Sequence, residues 1–165
     1  MRKVIAGLLV SLTLVGCSKG VADGTDGPSP QTTGVARQAD IYAALMGGGQ
    51  EFGDMRIVDQ VCADAGEPVD YKGCSPMSAE LKAALLERLP SARFISDPLP
   101  LQERLMEKGG VTIHWVGPIV GSGSKVEVGT GYWCGGLCGS GGTKVVEFRN
   151  GAWVVTGSVG GTWIS

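Results

Sequence analysis

The pair Asn150-Gly151 lies between two β-rich runs, residues 144–149 and 152–156, and it constrains the fold more than any other stretch. Asn-Gly favours a type I′ turn, because both central positions of that turn need a positive φ. The two-residue loop also sets the register of the strands that it joins. It predicts two cross-strand pairs on the apolar face of a sheet: Phe148 with Trp153, and Val146 with Val155.

Two further β-runs precede this hairpin. Residues 111–116 alternate between two faces, and residues 125–128 follow a Gly/Ser turn. Ile113 and Trp115 share one face, and His114 lies on the opposite one. Glycine accounts for 28 of the 165 residues and clusters late in the chain, where it punctuates these runs. We interpret the glycines as turns and close-packed loops rather than as low complexity.

Helical periodicity marks the first half of the domain. Residues 37–46 carry an apolar stripe and end at a glycine run. Residues 75–89 predict a second helix, capped by Ser75 or Ser78 and stopped by Pro90. The remaining predicted elements are a strand at residues 56–62, a strand that begins at Phe94, and a helical turn at residues 101–107.

Helices followed by a meander predict the α+β class. We expect N-terminal helices packed on one face of a curved antiparallel sheet of about four to five strands, held by disulfides. This order and the closing hairpin resemble NTF2-like and cystatin-like folds. The resemblance covers the last third of the chain and rests on architecture alone, so it implies no functional residue.

The N-terminus has the parts of an export signal, with Arg2 and Lys3 ahead of an apolar run, residues 4–14. A membrane-spanning helix needs about 20 apolar residues, so the run is too short for one. Residues Leu14-Val15-Gly16-Cys17 resemble the lipobox of bacterial lipoproteins. The resemblance implies cleavage before Cys17, a diacylglyceryl group on its sulfur, and acylation of the new amine by a chain such as palmitate. A plain secretory signal with a chance cysteine is the alternative.

Three regions follow from this interpretation. Residues 1–16 are a cleaved signal peptide, residues 17–36 are a lipidated cysteine with a flexible Gly/Pro/Ser/Thr tether, and residues 37–165 are a single α+β domain. The predicted location is the cell envelope, anchored in a membrane by lipid and facing away from the cytoplasm. In the lipoproteins that the lipobox resembles, a residue other than Asp after the cysteine favours the outer membrane, so the resemblance with Ser18 implies that membrane if the cell has two.

The charge balance bears on partners. Without Arg2 and Lys3 the mature chain has 12 basic and 16 acidic residues, a formal net charge of −4. The mature chain has no run of basic residues, so we do not predict a nucleic acid as a partner. No cofactor and no metal are predicted.

Four cysteines remain after Cys17. An exported chain meets an oxidising compartment, so an even number of cysteines predicts disulfides. Four cysteines allow three pairings, and we predict local pairing because each pair brackets one loop: Cys62 with Cys74, and Cys134 with Cys138. Residues 131–142 and 150–157 also resemble a pattern in small bacterial lipoproteins of unassigned activity, so that resemblance implies no chemistry.

Enzymatic alternatives stay open. Cys134 and Cys138 suggest a thiol–disulfide protein, but their spacer is three residues long in a β-turn without a helix N-terminus. Four thiolates suggest zinc, but neither pair has CxxC spacing. His114, the one histidine, is predicted to be solvated or hydrogen-bonded on its strand. A carboxylate pair for glycan hydrolysis is set by space rather than by sequence, so it also remains an alternative.

Aromatic residues supply the candidate binding surface. All four tryptophans fall in the last third of the chain, with Tyr132 beside Trp133. Neighbours in a strand point to opposite faces, so one of these two is expected to be exposed or half-covered near the 131–142 loop. The alternative is that a helix or loop covers the second face of the sheet. The resulting prediction is a non-enzymatic binding or interaction module at the envelope, whose partner is an envelope protein or a glycan.

Overall fold

The computed structural model describes residues 34–47, 54–66, 73–98, 110–135 and 138–164. Its elements, in chain order, are α1 (Gly34–Gly47), β1 (Asp54–Cys62), β2 (Cys74–Pro76), α2 (Ala79–Arg88), β3 (Arg93–Ile95), β4 (Val111–Val120), β5 (Lys125–Gly135), β6 (Cys138–Arg149) and β7 (Ala152–Ile164). Two helices and a mixed seven-stranded sheet make an α+β fold. The predicted class is confirmed, whereas the predicted smaller, wholly antiparallel sheet is wrong.

The sheet has the order β2-β1-β4-β5-β6-β7, and β3 pairs with β1. Strands β4 to β7 form the predicted antiparallel meander. The sheet becomes mixed at β1, which pairs in parallel with β3 and β4 and antiparallel with β2. Parallel pairing needs a crossover rather than a hairpin, and α2 lies within the connection from β1 to both parallel partners.

The helices begin at positions other than those predicted. α1 begins at Gly34, so residues 34–36 belong to a helix and not to the tether. α2 begins at Ala79, because the chain just before it pairs with β1 as the short strand β2. The hydroxyl of Ser78 accepts a hydrogen bond from the backbone N–H of Leu81 at 3.1 Å, which makes Ser78 the cap. The predicted signal peptide, Cys17, and the predicted helical turn at residues 101–107 lie outside the described residues.

Both helices cover one face of the sheet and bury the larger of two apolar clusters, the helix-side core. Tyr42, Met46 and Leu85 fill it from the helices, and Ile57, Val116, Val126, Val128 and Val146 fill it from the sheet. Arg88 Nε donates to Asp40 Oδ1 at 2.5 Å and joins α2 to α1. The opposite face carries a smaller loop-side cluster of Val58, Cys62, Ala65, Ile113 and Trp115.

The closing hairpin has the predicted register. Asn150 and Gly151 have φ values of 52° and 84°, as a type I′ turn requires. Phe148 lies opposite Trp153 and Val146 lies opposite Val155. The rings of Phe148 and Trp153 meet edge to face, with their centroids 5.5 Å apart. On the helix side, the guanidinium of Arg37 lies 5.0 Å from the centroid of the Trp153 ring, so the hairpin is held against α1.

Candidate ligand cavity between the first helix and the sheet

A cavity of about 230 Å³ lies between the last turn of α1 and the helix-side face of the sheet. Pockets for drug-sized ligands measure about 300–1,000 Å³, so this volume suits a smaller molecule. The described lining consists of Ala44, Leu45 and Met46 from α1, His114 from β4, Thr130, Gly131 and Tyr132 from β5, Ser140, Gly141 and Lys144 from β6, and Val155 from β7.

Small residues in the sheet account for the space. The valines at 126, 128 and 146 fill the region beneath the helices and are almost completely buried. Further along the same strands the helix-side residues are small, with Thr130 on β5 and Ser140 on β6, whereas Gly131 and Gly141 face the indoles of Trp115 and Trp163 on the opposite side. No large side chain rises towards α1 from Thr130 or Ser140, so the last turn of α1 passes over an unfilled volume.

Three polar side chains form a row across the cavity. His114 lies opposite Tyr132 in the β4–β5 ladder, and Tyr132 lies opposite Ser140 in the β5–β6 ladder. Residues directly opposite one another share a face, so the row presents an imidazole, a phenol and a hydroxyl together. The rings of His114 and Tyr132 have their centroids 6.0 Å apart.

Lys144 supplies the charge of the cavity. It lies opposite Val128 on one side and Ser158 on the other, and its Nζ donates to the Ser158 hydroxyl at 3.1 Å. Burial lowers the pKa of His114 to about 4, so the imidazole is neutral at pH 7 and offers one donor and one acceptor. Among the described lining residues, Lys144 is therefore the one with a formal charge at neutral pH.

The two residues of the predicted binding surface lie on different faces of β5. Tyr132 lines the cavity on the helix side. Trp133 is half-buried on the other side and packs against the loop-side cluster. The predicted loop at residues 131–142 is the end of the β5–β6 hairpin, because strand pairing continues to Gly135 and Cys138.

The sequence correctly predicts that His114 lies on the face of β4 opposite Ile113 and Trp115. It does not predict that other parts of the chain cover this face enough to half-bury the side chain. Its strand packs between the helices and the loop-side cluster, so His114 is half-buried in the cavity. Lys144, Ser140 and Thr130 were not singled out as site residues. The available signal was the small residues that alternation places on the helix-side face of the paired strands, Thr130 and Ser140.

The four domain cysteines form the two local pairs that the sequence predicts. Cys62 and Cys74 are disulfide-bonded with their Cα atoms 4.0 Å apart, and Cys134 and Cys138 with theirs 5.2 Å apart. Cys134 and Cys138 lie on β5 and β6, away from the helix N-terminus that usually activates a redox thiol. Within the described ranges, no three His, Cys, Asp or Glu side chains gather into a group that could hold a metal ion.

The enzymatic alternatives gain no support from the cavity. Its described lining contains no Asp or Glu, so no carboxylate pair stands beside His114 there. No protein-family model, curated protein or solved structure matches the chain. Neither helix in the described part of the chain combines the length and apolar character needed to span a membrane.

Proposed function

We propose that this protein is a lipid-anchored envelope lipoprotein whose domain is a non-enzymatic binding module. The domain binds a small molecule in the cavity between α1 and the sheet. The observation that carries this proposal is the cavity itself, in which apolar residues of α1 face a row of neutral polar groups and one lysine. Binding sites for small molecules have this character, with an apolar lining and a few convergent polar groups that fix orientation.

The proposed location at the cell envelope rests on the lipobox-like residues Leu14–Cys17 and is consistent with the two disulfides of the domain. Two disulfides are typical of proteins that fold in an oxidising compartment outside the cytoplasm. Cys17 would carry the lipid, and the following residues would hold the domain away from the membrane surface. The anchor is tested by Cys17→Ser in cells supplied with a clickable palmitate analogue. The wild type should be labelled and sediment with membranes, and an unlabelled wild type would overturn the anchor.

Binding in the cavity is tested by a thermal-shift screen of charged and neutral fragments on the full-length protein in detergent. Ala44 lines the cavity, so Ala44→Trp should fill it, whereas Ala83 is exposed on α2 and Ala83→Trp is the matched control. A ligand that binds only the folded state raises the melting temperature according to its concentration and dissociation constant. We expect fragments to stabilise the wild type and Ala83→Trp but not Ala44→Trp.

Two results would contradict cavity binding. Fragments that stabilise all three proteins equally bind elsewhere. The second result is capture of a glycan or an envelope protein that Ala44→Trp leaves intact and that Trp133→Ala weakens without unfolding the domain. It would instead assign the function to the surface around Trp133, on the face of the sheet opposite the helices.

A further inference from the structure

The cavity carries an unbalanced charge in its described lining. Lys144 contributes an ammonium group, and no carboxylate faces it from α1, β4, β5, β6 or β7 within that lining. An ammonium has three donors and no acceptor, and the Ser158 hydroxyl accepts one of them. This hydrogen bond is exposed and Ser158 is not among the described lining residues, so the ammonium lies at the edge of the cavity, where its other donors can meet an anion.

The end of α1 limits how much negative charge the cavity can hold. Its last turn contributes Ala44, Leu45 and Met46, and the C-terminus of a helix carries a partial charge of about −0.5. The single positive charge of Lys144 exceeds this partial charge, so a monoanion is favoured. A dianion such as a phosphate ester needs more donors than one lysine supplies, and arginine forks or helix N-termini usually provide them.

The size and the apolar lining define the rest of the ligand. The volume of about 230 Å³ lies below the range of about 300–1,000 Å³ for pockets that bind drug-sized molecules, so a small ligand suits it. Leu45, Met46 and Val155 present apolar surface, and the neutral groups of Tyr132 and Ser140 lie in the same cavity. A short alkyl or aryl body therefore fits beside a single charged group.

We infer that the cavity selects small organic monocarboxylates, with the carboxylate at Lys144 and the apolar body against Leu45 and Met46. This inference rests on the proposed small-molecule binding function and names its ligand class. A charge-assisted hydrogen bond is about twice as strong as a neutral one, so the charge of the ligand decides affinity among molecules of equal length.

The test is calorimetric titration of the full-length protein in detergent with hexanoate, hexanamide and hexylamine. These probes share one chain length and differ in charge. Hexanoate should bind about tenfold more tightly than hexanamide, equivalent to about 1.4 kcal/mol, and hexylamine should bind most weakly. Lys144→Met should abolish the preference for hexanoate, and Lys144→Arg should keep it because the charge remains.

Lys125→Met is the matched control, because Lys125 is exposed and its Nζ pairs with Glu147 Oε1 at 3.4 Å, outside the cavity lining. It removes the same charge and should leave the preference intact in the same detergent. Hexanamide or hexylamine binding as tightly as hexanoate would overturn the carboxylate inference. If that binding is also lost in Ala44→Trp, small-molecule binding stands. If none of the three probes binds and the fragment screen also finds no ligand, both proposals fall.

Discussion

The indole rings of Trp115 and Trp163 lie parallel, with ring centroids 6.0 Å apart and ring planes within 5° of each other, although two strands separate the residues in the sheet. The ladder explains how they meet, since Trp115 lies opposite Gly131, Gly131 opposite Gly141, and Gly141 opposite Trp163. Neither glycine has a side chain, so the indoles lie flat across the two middle strands. These two late glycines thus provide contact surface for the indoles rather than turns.

The same two indoles donate hydrogen bonds to the backbone of the turn that follows β1. The Trp115 indole N–H donates to the carbonyl of Ala65 at 2.9 Å, and the Trp163 indole N–H donates to the carbonyl of Gly66 at 3.1 Å. The Cys62–Cys74 disulfide fixes the start of this turn to β2. In the described part of the chain, the backbone of this turn covers the loop-side cluster, and both α1 and α2 pack on the opposite face of the sheet.

Gly131→Ala should destabilise the domain by about 1–3 kcal/mol, because overpacking forces neighbouring groups to move. A Cβ at this position would lie 2.5 Å from Cζ2 of Trp115. Gly157 is the control, since a Cβ there meets nothing within 4 Å. Denaturant unfolding measures both variants, and Gly157→Ala should stay within about 0.5 kcal/mol of the wild type. Equal losses in the free energy of unfolding would show that packing of the Trp115 indole does not require a residue without a side chain at position 131.

Tyr42→Phe should cost about 1–3 kcal/mol, because it leaves a buried acceptor without its donor. The hydroxyl of the fully buried Tyr42 donates to the carbonyl of Gly117 at 2.8 Å and ties α1 to β4. Burial raises the pKa of Tyr42, so the phenol stays protonated as a donor. Tyr132→Phe, which removes a phenol that faces the cavity, should change the free energy of unfolding far less. A similar loss in both variants, measured by chemical denaturation, would contradict this assignment.

Lowering the pH should destabilise the fold through His114. Its pKa is about 4 in the folded protein because of burial, and about 6.5 in an unfolded chain. Between these pH values the unfolded state binds a proton that the folded state does not. The contribution of His114 to the free energy of unfolding is therefore complete above about pH 6.5 and decreases as the pH falls towards 4. We expect a loss on the order of 2 kcal/mol across this window.

Replacement of the histidine isolates this contribution from that of the carboxylates. The chain has one histidine, so His114→Asn removes every imidazole. Tyr132 is the titratable side chain whose ring lies against it in the cavity. Urea unfolding at several values between pH 7 and pH 4 should show a shallower decline for His114→Asn than for the wild type. Parallel curves would mean that the imidazole is hydrated in the folded state.

The two disulfides should stabilise the domain by different amounts. Cys62 and Cys74 are 12 residues apart, and Cys134 and Cys138 are 4 apart. Loop-closure entropy then predicts losses of about 3 and about 2 kcal/mol when each pair is replaced by alanine. Alkylation and intact mass across a redox buffer series should also find both pairs resistant, below about −300 mV. A labile Cys134–Cys138 pair near about −120 to −200 mV would instead favour the thiol–disulfide alternative.

Local rules determined several features of this protein directly from the sequence. The Asn150-Gly151 turn set the hairpin register, because a type I′ turn leaves one way to pair its strands. Helical spacing located α1 and α2, and short separation along the chain favoured the observed cysteine pairs. Strand alternation placed Tyr132 and Trp133 on opposite faces. Each of these follows from residues that are neighbours in the chain.

Tertiary structure decided the rest. β2 has three residues, too few to carry a period, and only its pairing with β1 makes it a strand. The equally short β3 includes the strand predicted at Phe94, but its parallel pairing with β1 was not predicted. The cavity exists because α1 crosses small residues of strands far away in the chain, and this position also buries His114 beside Tyr132. A sequence period reports the face on which a side chain lies, whereas burial and pKa depend on what covers that face. That covering is a long-range property, and packing alone fixed it.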